Sequence, residues 1–379
     1  MGAPITRSCI LALTLLTPAA YAQQGPAGST AAAAAAAAVA TSAAAPAPPA
    51  PASTAAAPTP AAVPAPAADL PRFDPSRPEI RAYIREACAQ GLARERIIAA
   101  LTAAEPQPQI VDAMNRPAEK TMQWWEYRAR MLTPGRIEAG AQLWREHKEL
   151  LDQIAAEYQV PPEYLVAVLG VETLYGHITG HYRVIDALAT LAFDYPPRER
   201  YFRRELTDFL LLAREQGFDP LSVRGSYAGA MGALQFMPSS YRKYAISEQP
   251  GLHSDLWGDW GDIFASTANF LHQSGWQYGA PVLAEVTGTR GDDVALSDHL
   301  GRTDTLGSLR AGGLSISTTL PDDTPALLLA APEPDSPHYR VGFHNFYVIT
   351  RYNSSPLYAM AVFDLAQAIR ERIAVEAAL

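Results

Sequence analysis

The chain has 379 residues, enough for one large or two modest domains, and carries a formal net charge of −9 with an isoelectric point near 5.4. That acidic balance argues against nucleic acid as the main partner. Two cysteines, Cys9 and Cys88, set no disulfide framework, and charged residues make up only 18% of the chain because its N-terminal region has almost none.

Residues 1–22 read as a secretory signal: Arg7 supplies the positive charge, Ile10 to Leu16 the apolar core, and Ala20-Tyr21-Ala22 a small-x-small cleavage site. The apolar run is too short to span a bilayer. Cys9 precedes that core with no lipobox-like residues ahead of it, so a lipid anchor is not supported and the mature chain keeps Cys88 alone. From Gln23 to about Leu70 the sequence is almost all Ala and Pro with Ser and Thr, including eight consecutive alanines from Ala31 to Ala38. A segment with so little to bury is expected to be a disordered, largely extended linker.

Globular sequence begins near Pro71. Apolar spacing predicts two short helices, over 79–89 (Ile80, Tyr83, Ile84, Ala87) and 93–103 (Ile97, Ile98, Leu101), separated by Gly91, with Cys88 in their small core. Thr133-Pro134 caps a long helix predicted to run to about Glu157, with Leu143, Trp144, Leu150, Leu151 and Ile154 on its apolar stripe. Pro161-Pro162 starts the next helix, since proline fits the first turn and not the interior. From Tyr164 to Val171 nearly every residue is apolar, which predicts a helix buried on most sides, with a lone carboxylate, Glu172, at its end.

Past Gly176 the chain reads as irregular up to a helix over about Glu199 to Gln216. Gly225 to Gly232 combines glycines with small residues and allows close backbone approach. Another helix spans about Asp262 to Ser274. Residues 281–335 turn rich in Gly, Asp, Thr and Pro; Val282 to Val286 reads as a short strand, and the region as a small insertion with short strands. Phe346 to Tyr352 reads as strand-like or extended, Asn353 to Pro356 as a turn, and Leu357 to Ile373 as a terminal helix. The fold class expected is mainly α, without internal repeats.

Taking a charged carboxylate out of water is costly, so Glu172 must be paired or protonated. A glutamic acid that keeps its proton near neutral pH suits general-acid catalysis. A surface glutamate at a helix end, or a buried one paired with an arginine, fits the same residues. His177 and His181 have the i, i+4 spacing of a metal pair, but Gly176 and Gly180 interrupt that stretch and no HExxH glutamate stands between them. They read as loop histidines, and no metal site is expected. No GxSxG and no phosphate-binding glycine loop is present, so no cofactor is implied. Aromatic residues such as Tyr201, Tyr227, Trp257, Trp276, Tyr352 and Tyr358 gather in the later segments. They suit the apolar faces of sugar rings, and equally a helical core.

Four stretches in one order, GVETLYG around Glu172, DALATLAFDYPPRERYF, GSYAGAMGALQFMPSSY and FYVITRYNSSPLYAMAV, resemble the lytic murein transglycosylase B family over roughly Phe73 to Ile373. The resemblance implies a lysozyme-like helical catalytic core (about 160–280 and 340–379) embedded in a larger helical domain, with a helical N-terminal part over 71–157 and the insertion over 281–335. It implies cleavage of the MurNAc-β-1,4-GlcNAc bond of peptidoglycan without water, the MurNAc C6 hydroxyl attacking its own C1 to leave a 1,6-anhydro end. An ordinary glycosidase needs two carboxylates; here the substrate carries the nucleophile, and Glu172 alone serves as acid and then base.

Further positions carry over by motif. Ser226 matches a serine near the acetamido group, and Gln235 a glutamine beside the glutamate. Tyr352, Asn353 and Tyr358 match the aromatic-polar cluster at the scissile position. Arg198, Tyr201 and Tyr127 (in WEYRARML) match cleft residues that contact sugar or peptide. The implied partner is the peptidoglycan glycan strand, handled by a monomer in the periplasm of a Gram-negative bacterium, with a cell-wall synthesis or degradation complex as the setting. Some members carry an EF-hand-type calcium loop, but Ile246 to Asp262 lacks the alternating acids and central glycine, so no calcium is expected despite Asp255, Asp259 and Asp262. Where members have two basic residues after the YP pair, this chain has Pro197-Arg198. Two other readings remain: a hydrolysing muramidase, needing a second carboxylate such as Asp186, Asp194 or Glu199, and a non-catalytic peptidoglycan-binding scaffold.

Overall fold

The computed structural model describes residues 73–115, 122–249, 251–288 and 304–377. The signal expected over 1–22 and the linker over 23–70 lie outside the described residues, as does part of the insertion. Among the described residues the protein is mainly helical, with fourteen α-helices and seven short strands.

Helices α1 (Pro78–Ala89), α2 (Arg94–Ala103) and α3 (Pro108–Asn115) form where apolar spacing placed the first two, and Ile80, Tyr83, Ile84, Ile97 and Leu101 are buried. Cys88 sits at the edge of that core rather than inside it. The short α4 (Trp124–Met131) follows. The single long helix expected after Thr133 is two: α5 (Pro134–Glu146), with the Thr133 hydroxyl accepting from Arg136 N, and α6 (Lys148–Tyr158). The break falls at His147, with φ −121° and ψ 27°. Its ring packs 5.3 Å from Trp260 and 5.8 Å from Phe264, and this bend lets the two halves of one apolar stripe serve different neighbours.

Helix α7 (Pro162–Thr173) is buried from Glu163 to Thr173, so its sequence shows no amphipathic period. The stretch read as irregular after Gly176 holds a two-residue ribbon, β1 (Tyr182–Arg183) with β2 (Arg224–Gly225), and the helix α8 (Val184–Asp194). In α8, as in α7, all-round burial erases the polar face that a periodic pattern needs. Helices α9 (Glu199–Gln216), α10 (Pro238–Tyr244) and α11 (Trp260–Gln273) complete the middle of the chain. Asp259 caps α11 by accepting from Gly261 N and Asp262 N.

The inserted region builds one five-stranded sheet with β3 (Leu283–Thr287), β4 (Asp304–Thr305), β5 (Ser315–Ile316), β6 (Pro325–Ala330) and β7 (Tyr339–Gly342) in the order β4-β6-β7-β3-β5, plus α12 (Leu306–Ala311). Its β6 is buried on both faces: Leu327 and Leu329 join the main helical core, while Ala326 and Leu328 join a second core with Val286, Leu306 and Ile316. Burial on both faces removes polar alternation, which is why the strand signal there is faint. Arg340 on β7 bonds Asp364 at 2.9 Å and Glu285 at 3.0 Å, and Asp364 also takes Arg128 at 3.0 Å, so the sheet is tied to the helical body.

The stretch expected to be extended at Phe346 is helix α13 (His344–Thr350), followed by α14 (Pro356–Ala377). Its aromatic and β-branched residues favour strands by propensity, but burial of Asn345, Phe346, Val348, Ile349 and Thr350 against the core decides for helix.

Candidate active site

The site forms where α7 ends. Glu172 is 0% exposed, one residue before the last residue of the helix, and follows an apolar run from Leu165 to Val171. Thr173 anchors the end: its hydroxyl donates to Ala233 O at 2.8 Å and accepts from Gly176 N at 2.9 Å. The chain then turns through three consecutive left-handed residues, Leu174 at φ 51°, Tyr175 at φ 60° and Gly176 at φ 82°. For the two non-glycine residues this conformation costs roughly 1–2 kcal/mol each.

The glycine-rich stretch closes over this turn. A β-carbon on Gly180 would lie 2.1 Å from Gly225 O, so only glycine lets these two strands of chain meet. Ser226 is buried next to that contact, and its hydroxyl accepts from Ala230 N at 3.1 Å and Ala228 N at 3.3 Å. Gln235, at φ 49°, donates to Thr179 O and Gly232 O, both at 3.0 Å, while its buried side-chain oxygen has no protein partner among the described residues. Ser226 and Gln235 therefore bracket the loop that leaves Glu172.

A third wall comes from the turn between α13 and α14. The Tyr352 hydroxyl donates to Leu234 O, next to Gln235, and the Tyr352 and Tyr358 rings stack with centroids 6.2 Å apart. Tyr358 lies close enough to Glu172 to feel its charge. Burial above all, and then the Glu172 charge, push both phenols well above their usual range. Tyr127 on α4 is buried and lies near Tyr358. Asn353 is 0% exposed; its side-chain oxygen accepts from Ser355 N at 2.9 Å, and its amide nitrogen has no partner among the described residues.

Arg198 and Tyr201 form a separate cluster at the start of α9, the guanidinium 4.3 Å above the Tyr201 ring. Sequence reasoning passed over Glu205, one turn further along the same face. It is 4% exposed, accepts from Ser239 N at 3.0 Å and Ser239 Oγ at 2.7 Å, and hydrogen-bonds Tyr201. Burial raises its pKa above the usual carboxyl range. The signal was present: Glu205 occupies an apolar-stripe position between Phe202 and Leu206.

The acids considered as a second carboxylate are engaged elsewhere. Asp186 binds Arg183 at 2.7 Å, Asp194 meets Arg77 at 3.4 Å, and Glu199 meets Arg203 at 3.4 Å. In the loop weighed for calcium, Asp262 accepts from Glu248 N and Asp255 N at 2.8 Å each, and Asp255 accepts from Trp257 N at 2.8 Å. These carboxylates shape the loop through its backbone. His177 and His181 lie in the loop after Tyr175, and among the described residues no group of His, Cys, Asp and Glu is arranged to hold a metal ion.

Comparison with known proteins adds four findings. Residues 75–367 match the transglycosylase SLT domain family. The membrane-bound lytic murein transglycosylase B of Escherichia coli K12 is 41% identical over 246 residues, 65% of this chain and 67% of that protein. The structure of the catenated lytic transglycosylase SltB1 from Pseudomonas aeruginosa superposes with TM-score 0.75 at 43% identity, covering 79% of this chain and 99% of that one. That of SltB3 from Pseudomonas aeruginosa, in complex with NAG-anhNAM-pentapeptide, does so with TM-score 0.66 at 31% identity, covering 76% and 78%. The helical core is thus of the lysozyme-like type. Among the described residues no helix is long and apolar enough to cross a membrane.

Proposed function

The chain belongs to the transglycosylase SLT domain family and is a lytic murein transglycosylase, and on that premise we propose that it cleaves the MurNAc-β-1,4-GlcNAc bond without water, with Glu172 as its one acid and base. The observation that carries this reading is a fully buried carboxyl whose charge is felt by two buried phenols, Tyr352 and Tyr358, while the acids weighed as a second carboxylate pair with arginines. Removal from water disfavours the charged form of a carboxyl and so favours the proton a general acid must hold.

In the proposed reaction Glu172 gives that proton to the glycosidic oxygen as the C1–O bond breaks, and GlcNAc departs with a free 4-hydroxyl. The MurNAc C6 oxygen closes on C1, and the Glu172 carboxylate takes the C6 hydroxyl proton, which restores the acid. The nucleophile is part of the substrate, so its effective concentration is high once the site holds the ring in a folded shape. Positive charge building at C1 is covered by the substrate's own N-acetyl group. The unpartnered side-chain oxygen of Gln235 and amide nitrogen of Asn353 suit an amide or hydroxyl of the sugar, with Ser226 beside the acetamido group. Tyr127, Tyr352 and Tyr358 shape the pocket around the scissile bond, and Arg198 with Tyr201 meets sugar or stem peptide further along. SltB3 binds a muropeptide fragment, which supports peptidoglycan strands as the partner here.

We further infer that residues 1–22 direct export to the periplasm, that 23–70 are a linker, and that 71–379 form the catalytic domain. Digestion in water enriched in heavy oxygen tests the chemistry. Transglycosylation leaves the products unlabelled, whereas one heavy oxygen per cleavage would mean hydrolysis and refute the reading.

A further inference from the structure

Two consecutive non-glycine residues in left-handed backbone, Leu174 and Tyr175, follow within three positions of Glu172. Such a turn persists only where its surroundings hold it. The holding group is the Tyr175 side chain, which is 5% exposed and lies over Gly140 of α5 and Gly170 of α7. Its hydroxyl donates to Arg136 O at 2.7 Å. The Arg136 guanidinium reaches the other way and donates to Arg130 O and Met131 O, each at 2.8 Å, at the C-terminal end of α4. Helix α4 carries Tyr127, which neighbours Tyr358, and Tyr358 in turn lies close enough to Glu172 for the carboxylate charge to raise its pKa. Arg136 is 7% exposed, and among the described residues it pairs with no carboxylate. A buried cation without a carboxylate partner is costly to keep, and the contacts Arg136 makes run from the Tyr175 turn to the end of helix α4.

We propose that Arg136 and Tyr175 are positioning residues that clamp the left-handed turn behind Glu172 to helix α4, fixing the carboxyl against Tyr358 and keeping water from behind it. The inference rests on Glu172 as the acid.

Tyr175→Phe removes one hydroxyl and leaves the ring in place. With purified peptidoglycan fragments as substrate, kcat is expected to fall roughly tenfold with KM within about twofold, as for an interaction that serves the transition state. The basic limb of the kcat–pH profile moves to lower pH, because a carboxyl that gains hydration gives up its proton more readily. Leu174→Gly added to Tyr175→Phe restores most of the rate, since glycine takes left-handed backbone without strain. Arg136→Met, which keeps the stem but cannot donate to α4, gives the same limb shift.

A Tyr175→Phe enzyme with the wild-type rate and profile overturns the clamp. So does a slower enzyme whose basic limb has not moved, or one that Leu174→Gly fails to rescue, since either marks a merely structural role. Glu172→Gln is measured alongside: if it keeps its activity, the acid assignment itself fails, a result distinct from any failure of Tyr175→Phe.

Discussion

Gly170→Ala places a methyl group on α7 two residues before Glu172. Its carbon would lie 2.7 Å from Tyr175 Oη, 2.8 Å from Tyr175 Cζ and 2.9 Å from Leu365 Cδ2. Both side chains are fixed, the tyrosine by its bond to Arg136 O and Leu365 by the packing of α14 on α7. Alanine returns up to ~1 kcal/mol of helix propensity, while overpacking of this kind costs ~1–3 kcal/mol. With three clashes at once the upper value applies, so the net loss is about 2 kcal/mol, or about 4 °C in Tm for a domain of this size. Activity falls further than stability, by roughly tenfold or more, because the displaced tyrosine moves the turn that sets Glu172. Gly135→Ala is the control: its β-carbon meets nothing within 4 Å, and stability should stay level or rise slightly. Thermal melts and initial rates on peptidoglycan, measured for both variants, decide the matter. A Gly170→Ala enzyme that melts and works like the wild type would refute the packing argument.

Two further outcomes follow from the ion pairs and buried acids. Asp364→Ala leaves the buried Arg340 with the half-exposed Glu285 as its one carboxylate partner among the described residues, and should cost about 3 kcal/mol in urea unfolding, the low end for breaking a buried pair. Glu205 has a folded pKa raised by burial, so its contribution to stability is full below the unfolded carboxyl pKa and is lost as pH rises through the folded value. Glu205→Gln should therefore flatten the fall in stability across that window, as read from denaturation midpoints at several pH values.

The sequence made α7 and its terminal glutamate legible because a proline start, an unbroken apolar run and one acid leave few alternatives. The sequence motifs also carried Ser226, Gln235 and Tyr352 to one neighbourhood, where the Tyr352 hydroxyl meets the carbonyl beside Gln235. What stayed hidden was set by distant partners. His147 breaks a continuous stripe because rings more than a hundred residues later receive it. The strand-forming side chains from Phe346 to Ile349 are drawn into a helix by the core they enter. Arg136 carries no signal of its own in the sequence, and only the return of Tyr175 to its carbonyl, 39 positions on, gives it a place behind the site.

Mass spectrometry of the muropeptides released from purified sacculi, by the mature protein and by its Glu172→Gln variant, tests the central claim most directly. 1,6-Anhydro-ended products are expected from the first and none from the second. Products heavier by one water, or undiminished release by the variant, would contradict it.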